Sequence, residues 1–262
     1  MVRPLVLLSN DDGYRSVGIN ALRTALMEVA DVIVCAPDNE QSAASHALSL
    51  HRPLRLFRHG EGIFSVDGTP ADCVYVALHA IGRVLPRRPD VVVSGMNHGV
   101  NLGDDVFYSG TVAAAREGAL KGLPSIALSA AFDTDLSAAC ALGAQLTREL
   151  AERKDQGAIL LNVNVPPGDA WPVRATRLGS RVYVDQVDFR KDPRGREYLW
   201  IGGPGAEHRP VAGSDTEAYD AGVVGVTPLV LDLWGRDFQE RADAIVSSIA
   251  RQSSHSGAGV GS

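Results

Sequence analysis

The sequence predicts an α/β fold in which a mostly parallel sheet is flanked by helices. Short apolar runs, such as residues 5–8 and 91–93, alternate with longer segments whose apolar residues recur at helical spacing. This alternation is typical of βαβ units. The chain has 262 residues, of which 45% are hydrophobic and 21% charged, so it is long enough to enclose a substantial core.

The predicted elements follow one another through residue 165. Strands are expected at residues 5–8, 32–35, 91–93, 125–128 and 159–165, and irregular or antiparallel strands at 49–66. Helices are expected at residues 19–30, 70–84, 110–120 and 136–153. Thr69 and Pro70 have the residue types that helices prefer at the N-cap and the first position, so they mark the start of the second helix.

The pattern changes after the Pro-Pro-Gly sequence at residues 166–168. Residues 181–203 alternate around the turn sequence DPRGR at 192–196, which predicts a long hairpin. An isolated hairpin is marginally stable, so we expect this one to pack on a partner subunit. A strand is expected near residues 223–233 and a helix near 241–249. We therefore predict a core at 1–168, a C-terminal oligomerisation segment at 169–250 and a disordered tail at 251–262.

Composition excludes some classes of function. The net charge of −6 argues against binding a nucleic acid polymer through a broad basic surface. Three cysteines, an odd number without paired spacing, are typical of buried thiols in a reducing compartment. The sequence shows neither a signal-peptide pattern nor an apolar run of membrane length. We expect a cytoplasmic protein that does not bind membranes.

Polar side chains follow three of the predicted strands. Asp11 and Asp12 come after the first strand, Ser42 lies in the loop after the second, and Asn97 follows the strand at 91–93. The carboxyl ends of parallel strands meet at one edge of a sheet. Each residue alone would be read as a turn residue, but two adjacent carboxylates repel unless a cation lies between them. Carboxylate, amide and hydroxyl oxygens suit Mg²⁺, Mn²⁺ or Ca²⁺.

The helix predicted at 110–120 begins with Ser109, Gly110 and Thr111. Ser109 is a common N-cap residue type, which is the structural interpretation. The functional interpretation is that unpaired N–H groups and two hydroxyls receive a phosphate, with Gly110 allowing close approach. The two interpretations are compatible. His46 and His98 lie in or beside the polar loops and could donate a proton, although a lone histidine is more often structural.

A series of short motifs runs in order along nearly the whole chain short of the tail. The motifs are SNDDG at 9–13, APD at 36–38 with QS at 41–42, GTPADC at 68–73, SGMNHG at 94–99, YSGT at 108–111, YLWIGG at 198–203, SDTE at 214–217 and VTPL at 226–229. Together they resemble the SurE (survival protein E) family of acid-phosphatase-like 5′-nucleotidases.

The resemblance implies a Rossmann-like core and a metal-dependent phosphohydrolase acting on nucleoside 5′-monophosphates, and in some members on 3′-monophosphates and short polyphosphate. It implies one divalent metal ion per subunit, Mg²⁺ or Mn²⁺, with Ca²⁺ an alternative in crystals. It also implies a homodimer or homotetramer with exchanged C-terminal elements. The implied metal ligands are Asp11, Asp12, Ser42 and Asn97, with Asp11 and Asp12 also catalytic, and the implied phosphate-binding residues are Asn101, Ser109, Gly110 and Thr111.

Two alternatives stay open. Asp133-Thr134-Asp135 superficially copies the Asp-x-Asp signature of haloacid-dehalogenase-like phosphatases, in which an aspartate is phosphorylated. That signature should directly follow the first strand, whereas here it trails the strand at 125–128. The non-enzymatic alternative is a metal-dependent nucleotide sensor that binds without hydrolysis. Base preference, the choice between 5′ and 3′ substrates, the metal and the identity of the basic aspartate are not specified by these motifs.

Overall fold

The computed structural model describes residues 3–154, 157–183, 187–202 and 205–256. Its strands and helices alternate along most of the chain, which confirms the α/β prediction. In chain order they are β1 Leu5–Ser9, α1 Val17–Leu26, β2 Asp31–Pro37, β3 Leu56–Gly60, β4 Ile63–Val66, α2 Pro70–His79, β5 Val91–His98, α3 Gly110–Leu120, β6 Ser125–Ala130, α4 Leu136–Glu152, β7 Leu160–Val165, β8 Val173–Ala175, β9 Ser180–Tyr183, β10 Val187–Lys191, β11 Glu197–Ile201, β12 Ala206–Arg209, α5 Asp215–Asp220, β13 Val224–Leu229 and α6 Gln239–Ser256.

Within the described residues, nine strands form one sheet in the order β3-β4-β2-β1-β5-β6-β7-β13-β8. The pairs from β4 through β7 are parallel, whereas β3 and β13 run antiparallel to β4 and β7. The chain moves outward from β1 in one direction to β2 and in the other to β5. Ligands in such sheets bind beyond the carboxyl ends of the strands at this switch point.

The core has two layers, one on each face of the sheet. Alternate residues of β1 enter different layers, as expected for a strand buried on both faces. Val6 and Leu8 pack with residues of α1 and α4, and Leu5 and Leu7 pack with residues of α2 and α3. The continuous apolar run at the start of the sequence is therefore explained by the position of β1 in the centre of the fold.

Several element boundaries differ from the sequence predictions. The helix expected at 19–30 is found at Val17–Leu26, and the strand expected near 223–233 is found at Val224–Leu229. The helix expected to run to residue 84 ends at His79, because Gly82 adopts a left-handed φ of 83° and the chain turns. Val84 and Leu85 nevertheless enter the core from that turn, which explains the continued apolar spacing. The strand expected at 91–93 continues to His98, because β5 pairs with β6 across a register shift between Ser94 and Asn97.

The C-terminal part adds two antiparallel strand pairs. Strands β10 and β11 pair across the turn at residues 192–196, and β9 pairs with β12. Strands β8 and β13 extend the main sheet rather than the hairpin. Residues Met1–Leu229 form one compact unit and Val230–Ser262 a second. The predicted division at 168 into a core and an oligomerisation segment stays a prediction.

The last helix is longer than expected. Helix α6 runs to Ser256, so residues 251–256, which the sequence analysis assigned to a disordered tail, are helical. Residues 257–262 of that predicted tail lie outside the described residues. None of the helices in the described ranges combines the length and apolar character that crossing a membrane requires.

Candidate active site

A cleft of about 790 Å³ lies at the carboxyl ends of β1 and β5, where the sheet order reverses. Six of the eight site residues predicted from the sequence line this cleft. They are Asp11, Asp12, Ser42, Asn97, Asn101 and Ser109. The prediction that these loops converge on one edge of the sheet is therefore consistent with the fold.

Asp11 is buried against the start of α3. Its Oδ1 atom accepts a hydrogen bond of 2.5 Å from the hydroxyl of Thr111. Burial raises the pKa of Asp11 to about 6; the Thr111 hydrogen bond opposes this rise and the charge of Asp12 adds to it. Thr111, predicted as a phosphate ligand, thus also holds a carboxylate of the predicted metal site.

Gly110 makes the close approach of α3 to Asp11 sterically possible. A Cβ atom built at residue 110 would lie 2.7 Å from Cβ of Asp11 and 3.1 Å from Cγ of Pro70. The sequence assigned Gly110 to close approach by a phosphate, and the structure adds that it permits close approach of Asp11. Ser109 is the N-cap, since its hydroxyl accepts a hydrogen bond of 3.1 Å from the N–H of Val112.

Asp12 faces a second carboxylate that the sequence analysis did not single out. Burial raises its pKa, and the charge of Glu40 raises it further, while a hydrogen bond with the main chain of His98 opposes the rise. The exposed hydroxyl of Ser42 donates a hydrogen bond of 2.7 Å to Oε1 of Glu40. Glu40 lies in the same polar loop as Ser42, which is the signal that could have identified it.

The side-chain amide of Asn97 is oriented by the loop that follows it. Its Nδ2 atom donates a hydrogen bond of 2.7 Å to the carbonyl of Gly99. The side-chain oxygen is therefore the atom that can act as a ligand, as an oxygen-coordinated cation requires.

Asn101 is fixed by buried polar residues at the ends of β6 and β7. Its N–H donates to Oδ1 of Asn164 at 2.7 Å, and its carbonyl accepts from Nδ2 of Asn162 at 2.8 Å. Its own Nδ2 donates to the hydroxyl of Ser129 at 2.9 Å. Asn162 and Asn164 alternate with apolar residues inside a buried strand, an unusual pattern that the sequence analysis missed.

Side chains from the C-terminal part also reach the cleft. Tyr183 of β9 and Ile201 of β11 line it, and the Tyr183 hydroxyl donates a hydrogen bond to Asp105. Arg181 donates a second hydrogen bond of 2.5 Å to the same carboxylate. Burial and the Asp105 carboxylate raise the pKa of Tyr183 to about 12, so this phenol stays protonated at neutral pH.

The two candidate histidines have different surroundings. Nε2 of His46 lies 2.9 Å from Oε2 of Glu117, a buried carboxylate in α3, so this contact ties the loop after β2 to α3. His98 lines the cleft and meets the ring of Phe132 edge-on, with 4.4 Å between ring centroids. His46 therefore has a structural contact that accounts for it, whereas His98 faces the open cleft.

The donor set of the cleft fits a hard divalent cation. Among the described residues, no group of three or more His, Cys, Asp or Glu side chains is placed to hold a metal. The predicted set of Asp11, Asp12, Ser42 and Asn97 needs only two carboxylates and adds a hydroxyl and an amide oxygen. All four residues line the same cleft, and Glu40 adds further negative charge there.

The Asp-x-Asp sequence at residues 133–135 lies in the loop that leads into α4. Asp135 is the N-cap of that helix and accepts a hydrogen bond of 2.9 Å from the N–H of Ala138. Asp133 is exposed in the same loop. Helix capping accounts for one of the two carboxylates, and the motif follows β6 rather than the first strand.

Comparison with known proteins identifies the family. The sequence pattern described as Survival protein SurE matches residues 6–185. A protein of Sorangium cellulosum named 5′-nucleotidase SurE is 62% identical over 252 residues, which cover 95% of this chain and 98% of that protein. A protein of the same name from Anaeromyxobacter dehalogenans strain 2CP-C is 52% identical and covers 87% of this chain and 90% of its own.

A solved structure agrees with these matches. The structure described as the crystal structure of SurE protein from Aquifex aeolicus superposes with a TM-score of 0.79 at 37% sequence identity. The match covers 92% of this chain and 99% of that one, so the similarity extends over nearly the whole of both chains. On the sequence pattern, the relatives and the fold, this chain belongs to the SurE family.

Proposed function

We propose that this protein is a metal-dependent 5′-nucleotidase that releases phosphate from nucleoside 5′-monophosphates. The observation that carries the proposal is the convergence in one cleft of an aspartate pair with Ser42, Asn97 and Asn101. The names of the relatives from Sorangium cellulosum and Anaeromyxobacter dehalogenans support the same activity. Hydrolysis of 3′-monophosphates and short polyphosphate extends the proposal to substrates with the same transferred group.

The residues of the cleft divide into two sets. Asp11, Asp12, Ser42 and Asn97 would hold a divalent cation, Mg²⁺ or Mn²⁺. When bound, this ion neutralises phosphate charge and lowers the pKa of a coordinated water. The second set is the side-chain amide of Asn101 together with the α3 start at Ser109, Gly110 and Thr111. The amide, the Ser109 hydroxyl and main-chain N–H groups would orient the phosphate, whereas the Thr111 hydroxyl donates to Asp11.

The two aspartates are placed for different tasks. Asp11 is buried and held by Thr111, so it is suited to a fixed position as a ligand. Asp12 is less buried and is hydrogen-bonded to the main chain of His98, at the wall of the cleft. It is therefore better placed than Asp11 to accept a proton from the attacking water. We assign Asp12 as the general base of the in-line displacement at phosphorus.

Phosphate release from a panel of nucleoside 5′-monophosphates, with Mg²⁺ or Mn²⁺ and then with EDTA, tests the activity. We expect phosphate release to depend on the metal. The Asp12→Asn variant should release no phosphate, and the Asp133→Asn variant should release it as the wild type does. Nucleotide binding without release would instead identify a metal-dependent sensor. The loss of turnover in Asp133→Asn but not in Asp12→Asn would identify the haloacid-dehalogenase-like mechanism.

We also propose a homodimer or homotetramer in which C-terminal elements are exchanged. This proposal is supported by two exposed aromatic side chains on the hairpin formed by β10 and β11. Phe189 of β10 is 60% exposed and Trp200 of β11 is 63% exposed in the single chain. Exposed aromatic groups of this kind are typical of interfaces. Sedimentation velocity should show a dimer or tetramer that Phe189→Ser with Trp200→Ser shifts to smaller species, whereas a wild-type monomer would refute the proposal. The cytoplasmic location expected from the sequence stays a prediction.

A further inference from the structure

A second cavity of about 450 Å³ lies beside the catalytic cleft, on the α1 and α4 side of the sheet. We name it the apolar cavity. It is enclosed by the N-terminal ends of α1 and α4 and by the carboxyl ends of β5 and β6. Its volume is in the range of small-molecule sites. Its apolar lining includes Val17, Met96, Ala130, Ala131, Phe132 and Leu136.

The apolar cavity and the catalytic cleft share a wall. Asp12, Asn97 and His98 line both spaces. A molecule whose phosphate is bound in the cleft can therefore extend its other end past these residues into the apolar cavity. Nucleoside monophosphates have this division, with a charged phosphate at one end and a flat, weakly polar base at the other.

The side-chain hydroxyls of the apolar cavity already contact protein atoms. The Thr134 hydroxyl donates a hydrogen bond of 3.0 Å to the carbonyl of Pro166. The Ser16 hydroxyl accepts hydrogen bonds from Nδ2 of Asn10 at 2.9 Å and from the N–H of Ile19 at 3.4 Å. The surface offered to a ligand is therefore mainly apolar, and it carries little of the hydrogen-bonding pattern that would read one base against another.

Phe132 supplies a surface for stacking. It lies in the loop after β6 and is 71% exposed, although its ring already touches His98 at a centroid distance of 4.4 Å. An exposed aromatic ring beside a cavity offers a face on which a flat ligand can stack. Bases of every kind have a face that stacks on such a ring, with little dependence on sequence or substituent.

We propose that the apolar cavity binds the nucleobase of the substrate, with Phe132 stacking on it. This inference rests on the proposed nucleotidase activity and adds the site that recognises the nucleoside. Phe132 determines affinity for the base, while the aspartates and α3 act on the phosphate. Phosphate hydrolysis and nucleoside recognition then take place in two adjacent spaces, the catalytic cleft and the apolar cavity.

The test compares AMP with ribose 5-phosphate, which has the same phosphate and sugar without a base. We expect wild-type kcat/KM to favour AMP by at least about tenfold, and Phe132→Ala to reduce this preference at least about fivefold, through KM. Phe57→Ala is the matched control, because Phe57 is a partly exposed phenylalanine of the edge strand β3 outside both spaces. It should leave the preference unchanged.

Calorimetric titration with adenosine measures the cavity without any turnover. We expect binding to the wild type that Phe132→Ala weakens at least about fivefold and Phe57→Ala does not. An AMP preference that Phe132→Ala leaves unchanged, with unchanged adenosine affinity, would overturn the inference. A wild-type protein that releases no phosphate from either substrate would refute the proposed function instead, and the adenosine titration would still decide on the cavity.

Discussion

Replacing Gly110 by alanine tests whether the packing of α3 on Asp11 matters for both stability and activity. The added methyl group would lie 2.7 Å from Cβ of Asp11 and 3.0 Å from its Oδ2 atom. Carbon atoms in contact are normally about 3.5–4.0 Å apart, so either α3 or Asp11 must move by roughly 1 Å. Gly110 begins the helix, where the propensity gain of alanine is small.

The expected size of the effect follows from this displacement. Overpacking of this kind destabilises a protein by about 1–3 kcal/mol, and urea denaturation should show a loss in that range. A displacement of a catalytic group by about 1 Å can lower the rate by about a hundredfold. We therefore expect kcat of the folded Gly110→Ala protein to fall at least about tenfold in a phosphate-release assay at saturating AMP and metal.

Gly118 provides the matched control in the same helix. A Cβ atom at Gly118 would lie 2.6 Å from Cβ of Val92 and 2.7 Å from the hydroxyl of Ser125, away from the cleft. Gly118→Ala should lower stability in the same way and leave kcat per folded molecule unchanged. Equal kcat for Gly110→Ala and wild type would refute the reasoning, and so would an equal loss of kcat in the two variants.

Three further predictions concern the surroundings of the site. Thr111→Val should lower the free energy of unfolding by about 1–3 kcal/mol, because buried Asp11 loses its hydrogen bond, and Thr111→Ser should restore most of it in urea denaturation. Burial raises the pKa of Glu117, but the His46 and Lys121 contacts outweigh this and hold it below its usual 4.5. The ionised Glu117 carboxylate therefore stabilises the folded protein above pH 4.5, and this stabilisation is lost as the pH falls through its lowered pKa. Glu117→Gln should accordingly reduce the free energy of unfolding more at pH 7 than at pH 3. EDTA and Asp12→Asn should each reduce phosphate release at least about a hundredfold.

Each of these predictions has a contradicting result. Wild-type stability in Thr111→Val would show that its hydrogen bond to Asp11 is replaced by another interaction. A stability difference for Glu117→Gln that is the same at both pH values would contradict the lowered pKa. Full phosphate release after EDTA treatment, confirmed by metal analysis of the sample, would contradict the metal dependence.

The sequence was sufficient to place the main site residues near one another. Asp11 and Ser42 follow β1 and β2, Asn97 lies near the end of β5, and the geometry of a parallel sheet brings these strand ends to one edge. No side-chain detail is needed for that inference. The start of α3 was predictable for a similar reason, because Ser109 is a strong N-cap residue type.

Other features depended on contacts that a local pattern does not contain. Tyr183 and Ile201 reach the cleft from strands far along the chain, so only the fold brings them there. The strand predicted at 91–93 continues through Gly95 to His98. A Cβ at residue 95 would lie 2.4 Å from the carbonyl oxygen of Leu128, so Gly95 permits close approach of β5 to β6. The apolar cavity could not be predicted from the sequence either, because its lining comes from three separate segments, residues 12–18, 96–98 and 130–136.

The central claim is that the aspartate pair after β1 holds the divalent cation of a nucleotidase. A crystal structure of the protein with Mn²⁺, collected at a wavelength that reveals the ion by anomalous scattering, tests it most directly. We expect one manganese site per subunit within coordination distance of Asp11, Asp12 and Asn97, with Ser42 nearby. Manganese bound at Asp133 and Asp135, or a cleft without manganese in crystals of protein that is active with Mn²⁺, would contradict the claim.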